Sequence, residues 1–215
     1  MPIIETKDNC TVIHPVEPDS GISQESVDNC VKIAKLNSLY RMLHNNCNDL
    51  NCCICNNTRS KSISNGSVNA SIMFIDALPS EYETYTGCFT DNKGYLLEES
   101  LKDTKYNRTD LYCTTVIKCF DVSNLTSDIA CACINNLFKR EFDIVKPKKI
   151  IITSSAFQAL LKYKVIKCNE NINYFTKTIT DFNDTKVELY VVYDMNNLNE
   201  QQKESFKQGL HYILQ

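Results

Sequence analysis

The sequence has no long hydrophobic run, little histidine and no excess of positive charge. No stretch approaches the ~18 apolar residues of a membrane-spanning helix, and the start, MPIIETKDNC, lacks the features of a secretion signal. The 23 Lys and Arg against 26 Asp and Glu give a net charge of −3. That balance argues against a broad nucleic-acid-binding protein but permits a local basic face. We expect a soluble, intracellular protein, cytoplasmic or nuclear, with no membrane partner.

Cysteine is abundant, with 12 among 215 residues. Inside a cell, clustered cysteines more often hold a metal or an iron–sulfur cluster than form disulfides. The candidate ligands are the C-x2-C pair Cys52 and Cys55, Cys119 at the end of a predicted strand, and Cys133 near the start of a predicted helix. Four thiolates suit tetrahedral zinc or a 4Fe–4S cluster. The alternative is buried, inert thiols, and Cys53 or Cys131 could replace a neighbour in the set.

Hydrophobic periodicity predicts strands that alternate with helices. Strands are predicted at 71–77, 111–119, 149–153 and 188–193, and helices at 23–44, 94–102, 127–145, 154–163 and 200–214. Two of the strands are apolar on both faces, which is typical of a buried parallel sheet. The pattern predicts a three-layer α/β/α sandwich with a central, mostly parallel four-stranded sheet. Residues 1–24 are predicted to form an N-terminal arm, and residues 25–215 one domain with the four-cysteine site.

Short motifs follow one another along the chain in a specific order. They are Cys52-x-x-Cys55, IMFIDALPSEYE (72–83), TGCFTDNKGYLL (86–97), YCTTVIKC (112–119), Cys133, VKPKKIIIT (145–153) and SSAFQALL (154–161). No single motif is specific, but their order and spacing resemble the iron–sulfur families 4 and 5 of the uracil-DNA glycosylase superfamily. The resemblance covers roughly residues 45–215. It implies that the four candidate cysteines bind a 4Fe–4S cluster.

The same resemblance implies a degenerate active site. The Glu that family 4 carries in a G-E-x-P-G loop falls at Ala77, and the Asp of the family 5 motif F-T-G-D falls at Asp91, one residue early. Asp91 is therefore the candidate catalytic residue, and a simple turn residue is the alternative. Phe89 matches the base-stacking position, and the uracil-reading Asn falls at Thr115. The His that stabilises the departing uracil anion falls at Asp194.

A carboxylate at position 194 would repel an anionic leaving group by on the order of a few kcal/mol in a dry site. The three histidines, His14, His44 and His211, lie elsewhere and are expected to be surface or packing residues. The resemblance therefore favours a pseudoenzyme that binds DNA or serves as an accessory subunit. A viral or phage replication or transcription complex is a hypothesis for its setting.

Two alternatives stay open. One is an active, divergent glycosylase that uses Asp91 to excise uracil or a modified base, and the other is a zinc-stabilised α/β module unrelated to glycosylases. The candidates for a weak DNA-binding face are Arg59, Lys61, Lys93, Lys118, Lys139 and Arg140. The arm and the first helix are candidate surfaces for a protein partner.

Overall fold

A computed structural model describes residues 4–7, 10–13, 23–44, 61–120, 126–168 and 172–215. The strands are β1 (Ile4–Lys7), β2 (Cys10–Ile13), β3 (Asn65–Gly66), β4 (Ile72–Asp76), β5 (Leu111–Thr115), β6 (Lys149–Thr153), β7 (Ile166–Lys167), β8 (Thr178–Phe182) and β9 (Thr185–Val192). The helices are α1 (Gln24–His44), α2 (Glu83–Thr86), α3 (Asn92–Leu101), α4 (Ser127–Cys133), α5 (Lys139–Val145), α6 (Ser154–Lys162) and α7 (Glu200–Leu214). A π-helical segment, Ile134–Phe138, joins α4 to α5.

The four predicted strands form the parallel centre of the main sheet. Strands β5, β4, β6 and β9 lie side by side in that order, and each neighbouring pair is parallel. Every residue of β4 and β5 is buried, as their continuous apolar sequences predict. The prediction of an α/β fold with a mostly parallel sheet is confirmed. Parallel pairing also brings the carboxyl ends of these four strands to one edge of the sheet.

The sheet has seven strands, so the predicted number of four was wrong. The additional strands are β3, β7 and β8, which pair antiparallel at the two ends of the order β3-β5-β4-β6-β9-β8-β7. Strands β3 and β7 have two residues each, which is too short for a periodic pattern. Strand β8 forms a hairpin with β9 across Asn183 and Asp184, whose φ angles are 46° and 61°. Asn and Asp tolerate such left-handed backbone better than most residues.

Alternate residues of the central strands face two separate apolar clusters. Met73 and Ile75 of β4 point into the cluster with α1, α4, α5 and α6. Ile72 and Phe74 point into the cluster with α3 and α7. Helices therefore cover both faces, which gives the three layers that the sequence predicts.

The described part of the N-terminal arm contains two short strands, β1 and β2, which pair antiparallel in a sheet of their own. The division into an arm and a domain stays a prediction. In the part of the chain that the structure describes, no helix has both the length and the apolar character needed to cross a membrane.

Candidate functional site

The carboxyl edge of the parallel sheet carries a cluster of polar side chains. Asp76 ends β4, Thr115 ends β5, Thr153 ends β6, and Asp194 follows β9 by two residues. Asp76, Thr115 and Thr153 are buried, and Asp194 is half-buried. In open α/β sheets this edge is where ligands bind. The cluster is therefore the candidate functional site.

A lysine occupies the centre of this edge. The Lys93 Nζ lies 2.8 Å from Asp76 Oδ2 and 2.9 Å from Glu83 Oε2. The exposed fractions of Lys93, Asp76 and Glu83 are 3%, 4% and 0%. Burial alone would lower the pKa of Lys93. The charges of Asp76 and Glu83 raise this pKa by more than burial lowers it, so the net pKa lies above its usual value. The ammonium therefore stays charged at neutral pH, and the three side chains form a buried ion triad.

Both carboxylates of the triad also accept hydrogen bonds from neighbouring parts of the chain. Asp76 Oδ1 accepts hydrogen bonds from Thr153 Oγ1 at 2.9 Å and from its neighbouring backbone N–H, that of Ala77, at 2.8 Å. Glu83 accepts from the backbone N–H of Ser80 at 2.6 Å and from the backbone N–H of Phe89. The loop after β4 thus folds around Glu83, which the sequence reasoning missed. The spacing of Ser80 and Glu83, a turn residue followed three positions later by an acid, was an available signal.

Phe89, the predicted base-stacking residue, lies inside the apolar core. It is 2% exposed, and its ring packs edge-on against Phe74 with a centroid distance of 5.1 Å. The Lys93 Nζ lies over the same ring, 5.4 Å from its centroid. Phe89 also has a φ of 57°, so its backbone adopts the left-handed conformation. In this arrangement the ring already has partners, and a base could stack on it only if Lys93 moved.

Asp91, the predicted catalytic residue, caps helix α3. Its Oδ1 accepts from the backbone N–H of Lys93 at 2.9 Å, as expected of an N-cap aspartate. Asp91 also lines a cavity of about 230 Å³ together with Phe89, Tyr95 and Arg108. The cap corresponds to the turn role that the sequence left open for this residue. A catalytic role for Asp91 stays a prediction.

Thr115, the predicted base-reading residue, is fully buried at the end of β5. Its Oγ1 lies 4.0 Å from the sulfur of Cys88, a buried cysteine whose pKa burial raises to about 11. That thiol therefore stays protonated at neutral pH. The role of Thr115 in reading a base stays a prediction.

Asp194, at the position of the family's histidine, caps helix α6. Its carboxylate accepts from Ser154 Oγ at 2.8 Å, from Ser155 Oγ at 2.7 Å and from the backbone N–H of Ser155 at 2.9 Å. A carboxylate at a helix N-terminus satisfies backbone N–H groups and interacts favourably with the helix dipole. Asp194 therefore has a structural role, which the sequence reasoning did not assign to it.

The structure describes two of the four predicted cysteine ligands. Cys119 and Cys133 are 5% and 7% exposed and belong to the same apolar cluster. Cys52 and Cys55 lie outside the described residues. Among the residues that are described, no group of three or more His, Cys, Asp or Glu is placed to hold a metal ion. The four-ligand set stays a prediction.

The described residues that flank 45–60 lie together beside Cys119. Lys61 pairs with Cys119 through an isolated antiparallel bridge, and its Nζ donates to the backbone carbonyl of Leu43 at 2.7 Å. The chain thus leaves α1 and returns at adjacent positions, next to a buried thiol. Buried thiols on separate elements fit a thiolate-bound metal or cluster, whose ligands would come from Cys119, Cys133 and the cysteines of 45–60.

Three of the six residues predicted to form a DNA-binding face are buried. Lys61 and Lys93 are buried in the contacts given above, and Lys118 is buried with its Nζ 2.6 Å from Glu141 Oε2. Their ammonium groups bind acceptors inside the protein and cannot reach DNA, so their assignment to a DNA face was wrong. Arg59 lies outside the described residues, and Lys139 and Arg140 remain accessible on α5.

Comparison with known families supplies independent information. The model of the uracil DNA glycosylase superfamily matches residues 63–213, a range that contains the whole seven-stranded sheet and the polar cluster at its carboxyl edge, but not Cys52 and Cys55. No curated protein matches the sequence. The alternative of a zinc-stabilised module unrelated to glycosylases is therefore wrong.

Proposed function

Since the chain belongs to the uracil DNA glycosylase superfamily, we propose that it is a catalytically silent member of that superfamily. In this proposal the protein is an iron–sulfur relative of families 4 and 5 that works inside the cell. It acts as a DNA-binding or accessory subunit of a replication or transcription complex, viral or phage in origin. Cys52, Cys55, Cys119 and Cys133 hold a 4Fe–4S cluster, with zinc as the alternative metal.

The observation that carries the proposal is the Lys93 ammonium between Asp76 and Glu83. An enzyme that excises a base must flip the nucleotide and hold the base in a pocket. Here the Phe89 ring lies under Lys93, and the nearest carboxylates are buried and hydrogen-bonded. Moving Lys93 aside would leave two uncompensated buried charges, and removing one partner of a buried ion pair costs about 3–5 kcal/mol. Entry of a base beside Phe89 is therefore unfavourable.

The charges around the site also oppose base excision. Uracil leaves as an anion, and enzymes stabilise such charge with preorganised donors and helix N-termini. Asp91 and Asp194 cap the N-termini of α3 and α6, so both helix ends already face a carboxylate of the chain. A repulsion of a few kcal/mol corresponds to several powers of ten in rate.

The proposed cluster would have a structural role. When bound, it would cross-link the chain after β5, helix α4 and the segment after α1 through metal–thiolate bonds. Two observations support this: Cys119 and Cys133 are buried in one apolar cluster, and Lys61 brings residues on both sides of 45–60 to Cys119. Metal binding of this kind stabilises the folded state.

An excision assay tests the enzymatic part of the proposal. The purified protein is incubated with single-stranded and duplex oligonucleotides that contain uracil, hypoxanthine or hydroxymethyluracil, and abasic sites are cleaved with alkali. We expect no cleavage above a protein-free control. Cleavage that disappears in Asp91→Asn would overturn the proposal in favour of an active, divergent glycosylase.

Binding and metal analysis test the other parts. Fluorescence anisotropy at low salt should show binding to the same oligonucleotides, with an affinity that falls as salt is raised. Anaerobic purification should give a brown protein with about four iron atoms and four sulfides per chain. Zinc in place of iron would identify the alternative metal, and the absence of both metals would refute the four-cysteine site.

A further inference from the structure

Four lysines lie at the edge of the sheet opposite the candidate site. The parallel strands begin at this edge, which we call the amino edge. Lys146, Lys148 and Lys149 lead into β6, and Lys105 lies in the segment between α3 and β5. Lys105, Lys146 and Lys148 are exposed, and Lys149 is half-buried. We call these four residues the amino-edge lysines.

Backbone hydrogen bonds fix the segment KPKK (146–149) in place. The N–H groups of Lys148 and Lys149 donate to the carbonyl of Ser71, just before β4, at 2.9 and 3.0 Å. The carbonyl of Lys148 accepts from the N–H of Glu188 in β9 at 3.0 Å. The segment is therefore anchored to the strands on both sides of β6, and its exposed ammonium groups extend from a fixed backbone.

Two of the amino-edge lysines meet at the end of α7. Lys149 Nζ donates to the carbonyl of Ile213 at 2.7 Å, and Lys105 Nζ donates to the carbonyl of Gln215 at 3.3 Å. Burial lowers the pKa of Lys149, and the charge of Lys105 lowers it further, although Glu188 raises it. The two ammonium groups are therefore close enough to repel each other.

The protein does not neutralise these lysines with carboxylates. Among the residues that the structure describes, none of the four takes part in an ion pair. Glu188 lies directly across from Lys149 in the pairing of β6 with β9, but its carboxylate pairs with Lys177. The amino-edge lysines therefore keep a local excess of positive charge.

Helix dipoles account for only part of this excess. Cations near a helix C-terminus interact favourably with the dipole, which explains Lys146 after α5, and Lys105 and Lys149 at the end of α7. Lys148 has no such role, because it lies beyond the last turn of α5 and directly before β6. Its exposed ammonium is free to bind a partner.

The edge that carries the candidate site has the opposite charge. The buried ion triad there holds two carboxylates and one ammonium. Asp91 and Asp194 cap helices at the same edge, and Glu81 is exposed in the loop after β4. Such a charge distribution repels a polyanion at one edge of the sheet and attracts it at the other.

We propose that the amino edge is the DNA-binding face of this protein, and that the amino-edge lysines bind backbone phosphates of duplex DNA. The proposal rests on the proposed DNA-binding role. Among polyanions, DNA is favoured because the chain belongs to a superfamily of DNA glycosylases. Binding is independent of base sequence, since lysines that contact phosphates do not read base edges. The candidate site then faces away from the bound DNA.

The test compares two double variants that change the net charge equally. One is Lys146→Gln with Lys148→Gln at the amino edge, and the control is Lys203→Gln with Lys207→Gln on α7, in the groove beside α3. None of the four side chains is fully buried, so both variants should melt close to wild type. Binding to a labelled, uracil-free duplex is measured by fluorescence anisotropy over a series of salt concentrations.

We expect the amino-edge variant to bind about 10- to 100-fold more weakly than wild type at about 0.1 M salt, because each phosphate contact contributes about 0.9 to the slope of log K against log salt concentration. The slope itself should be smaller in magnitude by about 2, and the control should bind like wild type. Equal affinities and slopes in the two variants would overturn this face and leave DNA binding intact. Wild type that binds no duplex at low salt would refute the proposed DNA-binding role, and this assignment with it.

Acetylation of the wild-type protein provides a readout that does not depend on variants. Lysines are modified with and without the duplex, and the extent of modification is measured by mass spectrometry. We expect DNA to protect Lys146 and Lys148 and to leave Lys203 and Lys207 unprotected. The reverse pattern would place the DNA at the edge of the candidate site and overturn the proposal.

Discussion

The buried ion triad leads to a quantitative prediction about stability. Lys93→Met keeps most of the aliphatic side chain but removes the ammonium, so Asp76 and Glu83 lose their counter-charge. Both carboxylates are almost inaccessible to water, at 4% and 0% exposed. Removing one partner of a buried ion pair typically costs about 3–5 kcal/mol. We expect a loss in this range, because the remaining hydrogen bonds from the Thr153 hydroxyl and from backbone N–H groups, including that of Ser80, only partly stabilise the two charges.

The size of the effect is measurable by thermal unfolding. For a chain of this length, a loss of 1 kcal/mol lowers the melting temperature by about 2–4 °C. Lys93→Met should therefore melt about 6–20 °C below wild type at pH 7. The matched control is Lys102→Met, which breaks the ion pair of Lys102 with Glu99 on the surface of α3, where both side chains are largely exposed. Exposed pairs contribute little, so this control should melt close to wild type.

The pH dependence provides an independent check of the same reasoning. In wild type the raised pKa of Lys93 makes its contribution to stability complete below pH ~10, and this contribution is lost as the pH rises through the folded-state pKa. The difference in melting temperature between wild type and Lys93→Met should therefore be constant around neutral pH and shrink as the pH is raised above ~10. A variant that melts like Lys102→Met at pH 7 would refute the triad.

Three smaller perturbations test other parts of the site and the fold. Asp194→Ala should cost about 0.5–2 kcal/mol in urea unfolding because α6 loses its cap, and equal stability would refute the cap. Gly94→Ala should be strongly destabilising in the same assay, since a Cβ there would lie 2.2 Å from the carbonyl oxygen of Phe89; a neutral result would mean that Phe89 lies elsewhere. Asp184→Val should lower the melting temperature more than Asp184→Gly, because both remove the ion pair with Lys167 but only Val is strained at a φ of 61°. Equal melting temperatures would contradict the left-handed conformation of Asp184 in the β8–β9 turn.

The centre of the fold could be predicted from sequence because its signals are local. Strands such as KIIIT (149–153) are short apolar runs, and a strand buried on both faces needs such a run. Strands β3 and β7 could not be predicted, because two residues carry no periodicity and their pairing depends on a neighbouring strand. Strand β8 could have been found. The residues Asn183 and Asp184 between two β-branched segments are a hairpin signal that the sequence reading did not use.

The lysines could not be interpreted from sequence for a different reason. A lysine in the sequence is counted as surface charge unless a partner is known, and the partners here are distant. Lys93 contacts Asp76 from 17 residues away, and Lys118 contacts Glu141 from 23 residues away. No helical or cross-strand spacing rule relates such positions. Only the tertiary fold shows that these charges are neutralised inside the protein.

The carboxyl edge of the sheet combines features that would conflict in a working active site. Catalytic sites keep polar groups and helix N-termini free to interact with the substrate. Leaving these groups without partners in the protein lowers stability. At this edge Asp76 and Glu83 are paired with Lys93, and Asp91 and Asp194 each satisfy a helix N-terminus. Asp76, Glu83, Lys93 and Asp194 each support the fold through several contacts at once. Replacing Asp194 alone by the histidine of the family would therefore remove a cap without freeing the Phe89 ring, and we expect Asp194→His to be less stable than wild type and still inactive on uracil. Uracil excision by that single variant would show that the triad does not block the site.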